Sequence, residues 1–467
     1  MKMKFAYYTF ILLWAVCLMT GCSIYKPYSR PEVQTEGLYR DLEETKDTAS
    51  IATLGWRNLF SDKNLQALID KGLERNTDLR VAHTRVKAAE AVLMNARLSY
   101  LPSVVLAPDG SISGTEGAKA IKTYNLAASA SWEIDLFGKV TNAKREALAA
   151  LEGSRAYRQA VETQLIATIA NSYYMLLMLD RQLIISEQTL ITWKETEHSI
   201  EALKRAGKSN DAAVLQAKAN RLALEASVVS IRKSIRETEN VLSALLADTS
   251  HDIMRGALQK QQFPDTLSAG LPVQLLANRP DVRQAEWNLA QAYYATNAAR
   301  SAFYPSLTLS GSIGWTNNVG GVVVNPGSWL FSAVGSLMQP LFNKGTNIAN
   351  LRQAKARQEE ALLLFQQSLL DAGKEVNNAL TRWQSARIRM DYVNQQIMTL
   401  QEAVRKTELL MQHTSTNYLE VLTARQRLLE AELTQAQDKF EEIQGVIDLY
   451  HAVGGRYPHK KVHEVTT

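Results

Sequence analysis

Cys17 and Cys22 are the only thiols of the chain, and both lie at its very start. Cys22 closes the stretch Leu18-Met19-Thr20-Gly21-Cys22, which follows a short basic opening, Met1 to Lys4, and an apolar run, Phe5 to Met19. Basic, then apolar, then small is the layout of a secretory signal. Small residues ahead of a cysteine resemble a lipobox, whose chemistry is lipidation of the thiol and cleavage that would leave Cys22 as the mature N-terminus. Met19 stands where leucine is usual, and a plain signal peptide cut near Gly21 or an uncleaved anchor reads the same run. One acyl chain holds a protein only marginally, so an anchor here needs several. Beyond Cys22 there is no disulfide framework and no cysteine-ligated metal. The seven histidines are scattered. His459 and His463 share a helical spacing, but on a charged tail after Pro458 they read as a disordered end. No Walker-type glycine loop, metal-spaced histidine set or nucleophile elbow occurs. No cofactor, metal or catalytic residue is therefore expected, and an enzyme is the weakest class of function.

The elements that would position anything else are long. Thr346 to Gln444 contains no proline and one internal glycine, Gly373. Val376, Trp383, Met390, Ile397, Val404 and Met411 recur at heptad spacing, with Ala379, Ala386, Val393 and Leu400 three residues behind the first four. That is the a/d seam of a coiled coil. After a polar tip from Gln412 to Asn417 the seam returns as Leu422, Gln426, Leu429, Leu433, Ala436, Phe440, Ile443, Ile447 and Tyr450. The spacing predicts an antiparallel helical hairpin with a first arm of about 65 residues, roughly 100 Å long, and a second about half that.

The chain is also an internal duplication. Asp78, Leu79, Arg80, Ala82, Arg97, Pro102 and Ser103 recur at one constant offset as Asp281, Val282, Arg283, Ala285, Arg300, Pro305 and Ser306. Leu136-Phe137 matches Leu341-Phe342, and Val214-Leu215 matches Val421-Leu422, at offsets only slightly larger. Each half reads helix, two strands, long helix, tip, return helix. The long helices run from about Lys139 to Arg205 and from about Thr346 to Met411. The return from the first tip is split, about Ala212 to Ala247 and about Asp281 to Phe303, around a proline-bearing segment that would form a belt partway along the helices.

Strands are expected at about 102–136 and 305–342. Leu307, Leu309, Ile313 and Trp315 alternate with Thr308, Ser310, Ser312 and Thr316, so one face is apolar and the other small and polar. Trp329, Phe331, Ala333 and Leu337 continue the apolar face after a loop holding Gly320, Gly321, Pro326 and Gly327, and Val104, Leu106 and Ile112 with Tyr124 to Ile134 behave alike in the first half. A half-buried sheet in a soluble domain carries the same alternation. After the leader no stretch supplies the ~20 apolar residues of a membrane helix, so a membrane crossing would have to be made of strands. Four strands cannot close a barrel, whereas three chains would supply 12 strands around an aqueous lumen. The net charge of +5 is spread without a basic block, so no nucleic-acid partner is expected.

Several separate motifs now fall into place. Leu276, Arg279, Pro280, Asp281, Ala285, Glu286 and Leu289, with Arg300, Pro305 and Ser306 downstream, resemble the R-P-D stretch of TolC-like outer-membrane factors. Asp135-Leu136-Phe137-Gly138, Tyr418-Leu419-Glu420-Val421-Leu422-Thr423-Ala424 and Leu449 to Gly455 are similar to three further signatures of that family. The resemblance covers essentially Trp56 to Gly455 and, with the lipobox, points to the lipoprotein branch serving tripartite efflux pumps of the resistance-nodulation-division type. It implies an α+β membrane protein: a homotrimer whose 12-stranded outer-membrane β-barrel, four strands per chain, continues into a coiled-coil α-helical tunnel in the periplasm. It implies as partners a periplasmic membrane-fusion adaptor, an inner-membrane RND-type transporter that supplies the energy, and outer-membrane lipid.

The same resemblance places Glu420 at the periplasmic entrance, where a trimer would hold three carboxylates that repel one another and favour an open or cation-occupied mouth; a solvated tip residue is the plainer alternative. Its counterpart in the first half is Ala213. Gly207, Lys208 and Ser209 in one tip, and Thr414, Ser415, Thr416 and Asn417 in the other, are the expected adaptor contacts. His413 or Thr414 stands where the family commonly has glycine, which changes the second turn. Trp315 and Trp329 suit an interfacial girdle or simply pack a loop. The domain order expected is signal peptide 1–21, lipidated tether 22–55, first repeat 56–263, second repeat 264–455 and tail 456–467. The function expected is the exit duct for drugs, detergents or other small toxic compounds. Its rivals are the export duct of a type I protein secretion system and a non-conducting periplasmic coiled-coil scaffold.

Overall fold

The computed structural model describes residues 25–33, 37–38, 54–263, 278–319, 322–413 and 418–455. Helices α1 (Trp56–Leu59), α2 (Lys63–Arg75) and α3 (Thr77–Leu98) lead into strands β1 (Ser103–Ser113) and β2 (Ile121–Ile134), then helices α4 (Lys139–Arg205) and α5 (Asp211–Leu245). After a 3-10 turn at Leu258–Lys260 the order repeats as α6 (Pro280–Ser301), β3 (Ser306–Val319), β4 (Val322–Met338), α7 (Thr346–His413) and α8 (Tyr418–Ala452). The duplication read from the sequence is thus a duplication of structure. α4 and α7 hold 67 and 68 residues, roughly 100 Å each.

Local chemistry explains where these helices begin. Asp135 Oδ1 accepts from the backbone N–H of Val140 at 3.0 Å, and its Oδ2 accepts from the N–H and the hydroxyl of Thr141 at 2.8 and 2.6 Å. One carboxylate therefore satisfies two of the donors a helix start leaves open. Gly138, at φ +70°, makes the turn that brings Asp135 into range. α2 starts the same way: Asp62 caps Asn64 N–H at 2.9 Å.

Two compact units emerge, each drawn from both halves of the sequence. The first comprises Met1–Val33, Arg85–Arg155 and Gln284–Gln366. It contains the sheet, an antiparallel meander in the order β1-β2-β3-β4, together with a small core of Val86, Leu93, Ala147 and Leu151. Phe137 stacks on Tyr304 at 5.0 Å. Residues 25–33 are held on α6 by a two-pronged pair between Arg30 and Glu286, at 2.7 and 2.6 Å, and by Tyr293, whose hydroxyl donates to the Lys26 carbonyl at 3.0 Å.

The second unit comprises Gln34–Thr84, Ala156–Arg283 and Gln367–Thr467. Its core is aromatic: Phe60 lies 6.4 Å from both Tyr174 and Tyr450, and Tyr174 lies 5.6 Å from Phe263. Leu65, Ile69, Ile169, Leu242, Ile443 and Ile447 of the same unit are fully buried. The heptad seam behaves as its spacing predicts. Val376, Ala379, Ala386 and Ile397 are buried, as are Leu422, Ala436, Phe440, Ile443, Ile447 and Tyr450. Gln426 is a correction: it is exposed and donates to Glu430 at 3.1 Å, because Arg425 takes the inward place. Gly445 lets α7 and α8 close up, since a Cβ there would lie 2.8 Å from the backbone nitrogen of Trp383.

The sheet corrects one further expectation. Pro326 and Gly327 lie within β4 rather than in a loop. The β3–β4 register slips between Thr316 and Asn318, and the Asn317 side chain reaches across to β2, accepting from Tyr124 N–H at 2.6 Å and donating to the Lys122 carbonyl at 2.9 Å. β4 is an edge strand, where proline's missing N–H costs no ladder bond. Among the described residues no helix is long and apolar enough to cross a membrane.

Candidate functional site

Register decides what each sheet face offers. Leu106 faces Ala128, Ala128 faces Ile313, and Ile313 faces Phe331. Directly opposed residues share a face, and four residues along Trp132, Leu309 and Gly335 form a row on that same face. The face is apolar throughout its middle and is open: Phe331 is 84% exposed, Val104 71% and Leu106 66%. Trp315 and Trp329 are directly paired and stack at 5.9 Å. The opposite face carries Ser129, Ser312 and Ser332 in one row, Ser131 with Ser310 in the next and Thr308 with Ser336 beyond, with Val105 and Val334 completing the first two rows. Its hydroxyls meet across strands, Ser111 with Thr123 at 2.7 Å and Ser312 with Ser332 at 2.8 Å. β1 and β4 are its two edges. A four-stranded sheet that is apolar on one side, mostly small and hydroxyl-bearing on the other and open at both edges is a barrel segment waiting for neighbours.

The first helical tip is built by its glycine. Gly207 sits at φ +71°; its N–H donates to the Lys204 carbonyl and that of Lys208 to the Leu203 carbonyl, both at 2.9 Å. This is a Schellman end, which satisfies the last carbonyls of α4. Gly207 and Lys208 are exposed. Ser209 is half-buried, with a hydroxyl shielded from water and bonded to no described residue. Asn210 then caps α5 through the Ala213 N–H at 2.9 Å. Of the second tip, Thr414, Ser415, Thr416 and Asn417 lie outside the described residues, as do Cys22, His459 and His463. Glu420 is exposed in the first turn of α8, where a carboxylate also favours the helix start.

Behind the tips the helices are tied. Ile200, Ala213, Ala217 and Leu422 form one small core. Beside it Arg425 on α8 donates to Glu408 of α7, at 2.9 and 2.5 Å, and to the Thr192 carbonyl at 3.0 Å and the Thr196 hydroxyl at 2.5 Å on α4. A single guanidinium thus joins three helices, and sequence reading missed it. Its one trace was a polar residue, Gln426, in an otherwise apolar seam.

The R-P-D stretch proves to be architectural. Arg279, 3% exposed, grips Asp281 at 2.8 to 3.0 Å, pairs with Glu375 and donates to the Ala452 carbonyl at 3.0 Å. Gly454, at φ +93°, lets the end of α8 approach Asn278, whose carbonyl oxygen would lie 2.6 Å from any Cβ there. The two motifs are halves of one joint.

The family model described as "Outer membrane efflux protein" matches residues 68–248 and 271–455. The cation efflux system protein CusC of Escherichia coli K12 is 29% identical over 451 residues, covering 94% of this chain and 97% of that protein. The solvent efflux pump outer membrane protein SrpC of Pseudomonas putida is 26% identical, covering 95% and 97%. Among solved structures, the open state of the Neisseria gonorrhoeae MtrE outer membrane channel superposes with a TM-score of 0.84 at 30% identity, covering 93% of this chain and 98% of that one.

Proposed function

Because the chain belongs to the outer membrane efflux protein family, we propose that it is the outer-membrane exit duct of a tripartite efflux pump. Three copies close their sheets into one 12-stranded barrel, and the long helices continue the barrel wall as a tunnel in the periplasm. The observation that carries this reading is the sheet: its apolar face suits lipid, its hydroxyl face suits a wet lumen, and its open edges need copies. A periplasmic membrane-fusion adaptor and an inner-membrane RND-type transporter complete the pump, and energy comes from the transporter. Compounds pass along the duct unchanged, so no catalytic step is assigned to the chain.

Relatives are named for cation, solvent and antibiotic efflux. One duct design therefore serves unlike cargoes, in keeping with a lumen face of plain hydroxyls. Gly207, Lys208 and Ser209, with Thr414, Ser415, Thr416 and Asn417, are the proposed adaptor contacts; Glu420 just behind them lines the entrance, and Cys22 carries the lipid anchor. The test is conductance. Purified protein is expected to migrate as a heat-modifiable oligomer and to conduct in planar bilayers, and an oligomer that conducts nothing overturns the duct. Deleting the gene in cells that hold a partner pump is expected to raise susceptibility to at least one of drugs, detergents, bile salts or metal ions; no change on any compound overturns efflux.

A further inference from the structure

A groove of about 540 Å³ opens between residues 26–31 and helices α6 and α7, wholly inside the first unit. Lys26, Arg300 and Lys355 line it, against one carboxylate, Glu359. The cations outnumber the carboxylate: among the described residues Lys26 and Lys355 make no ion pair, and Arg300 donates to the Asn297 side chain at 3.2 Å. The groove is nevertheless a fixed structure. Its tether wall is held by the Arg30–Glu286 pair, by the Tyr28 N–H donating to the Tyr294 hydroxyl at 3.2 Å, and by Tyr28 packing edge-on to Tyr293 at 5.9 Å. Tyr28 lies on the lining with its hydroxyl shielded from water. Leu289 and Leu362 add apolar wall.

Position tells which anion fits. Arg300 lies in the last turn of α6, just before β3, and Lys355 lies about 14 Å along α7 from its start beyond β4. The groove therefore sits at the end of the strands from which the helices leave, where the apolar face gives way to water. Lys26 follows Cys22 by four residues, at most about 14 Å of chain. We propose that the groove binds the phosphate headgroup of an anionic glycerophospholipid in the leaflet that carries the protein's own anchor, through Lys26, Arg300 and Lys355. The proposal rests on the outer-membrane reading above and adds to it a specific lipid site.

Full-length protein in non-ionic detergent, titrated calorimetrically, tests it with three probes: dihexanoyl phosphatidylglycerol, dihexanoyl phosphatidylcholine and inorganic phosphate. The phosphatidylglycerol is expected to bind most tightly. Lys26→Gln and Lys355→Gln should each weaken it about fivefold, and Lys233→Gln in α5 should leave it unchanged. Equal binding of inorganic phosphate would make this a free-anion site, and equal binding of phosphatidylcholine would remove the role of net charge; either overturns the proposal. So does phosphatidylglycerol binding that ignores both lysine variants. Conductance of the same preparation reads the duct separately, so a conducting protein that takes no phospholipid loses this site and nothing else.

Discussion

Arg425 and Arg279 do comparable work at two places along the helices: each is a fork that spends its donors on different segments at once. A guanidinium can do this because its planar donors are fixed in direction. Arg425→Ala removes bonds to both α7 and α4, each charge-assisted bond being worth about 1.5–3 kcal/mol. It is expected to loosen the tips and raise single-channel conductance in bilayers, with Arg425→Lys intermediate; wild-type conductance in both would show that the fork does not set the opening. His451 makes a second residue-scale case. Burial, reinforced by the nearby Arg279 guanidinium, holds its imidazole below the ordinary value of 6.5, although Glu375, Asp281 and Asp448 act the other way. An imidazole depressed on folding takes up a proton more readily unfolded, so its contribution is present above about pH 6.5 and is lost as pH falls below it. Thermal melts between pH 7.5 and 5 are expected to lose less on acidification in His451→Gln than in wild type, while burial of the Asp448 carboxyl, which raises its own value, works in the opposite sense. None of these partnerships was legible in the sequence. Arg425 meets Thr192, and Arg30 meets Glu286, across hundreds of residues, and no periodicity reports a contact of that range. Cys22 and the second tip were legible as motifs only.

Elements were far easier to read, because their period is written into every turn. α4 was expected from Lys139 to Arg205 and spans those residues, and α7 runs two residues beyond its expected end. Strand alternation gave the faces correctly for Leu307 to Thr316, and the register adds that four strands agree on which face is apolar. The miss at Pro326 and Gly327 has a plain cause. Both residues signal turns, yet an edge strand with a slipped register accommodates them. The two faces should respond differently to charge. Ile313→Arg, on the apolar face, is expected to cost about 2–4 kcal/mol if it lies at mid-bilayer and to cut the yield of heat-modifiable oligomer. Ser312→Arg, one residue away on the hydroxyl face, should assemble normally and shift ion selectivity instead. Equal assembly of both would mean that the apolar face does not meet lipid.

For the whole molecule the duplication is the governing fact, since it lets one junction foretell another. Glu133 faces Thr308 where β2 meets β3, a pairing of the second strand of one half with the first strand of the next. The repeat carries Glu133 to Met338 and Thr308 to Val105, so β4 should meet β1 of a neighbouring copy with Met338 opposite Val105 and Leu337 opposite Leu106. Both leucines lie on the apolar face, as a consistent register requires. A chain carrying Leu106→Cys and Leu337→Cys is expected to form disulfide-linked trimers under mild oxidation, whereas Leu106→Cys with Val334→Cys should not; the reverse pattern would overturn the register. The unequal fates of Phe137, stacked on Tyr304, and its repeat mate Phe342, 86% exposed, fit the same picture. Phe342 stands where a neighbour's Leu101, itself 61% exposed, would come.

The two open edges of the sheet also have a genetic meaning. A closed ring of three tolerates no broken seam, so one defective copy spoils the two sound ones beside it. An allele with Val334→Pro on the β4 edge, expressed at equal dose with the wild type and mixing at random, leaves only about one ring in eight free of the defect. Such an allele should therefore be dominant, and a susceptibility assay in cells carrying both alleles should score close to the deletion rather than halfway.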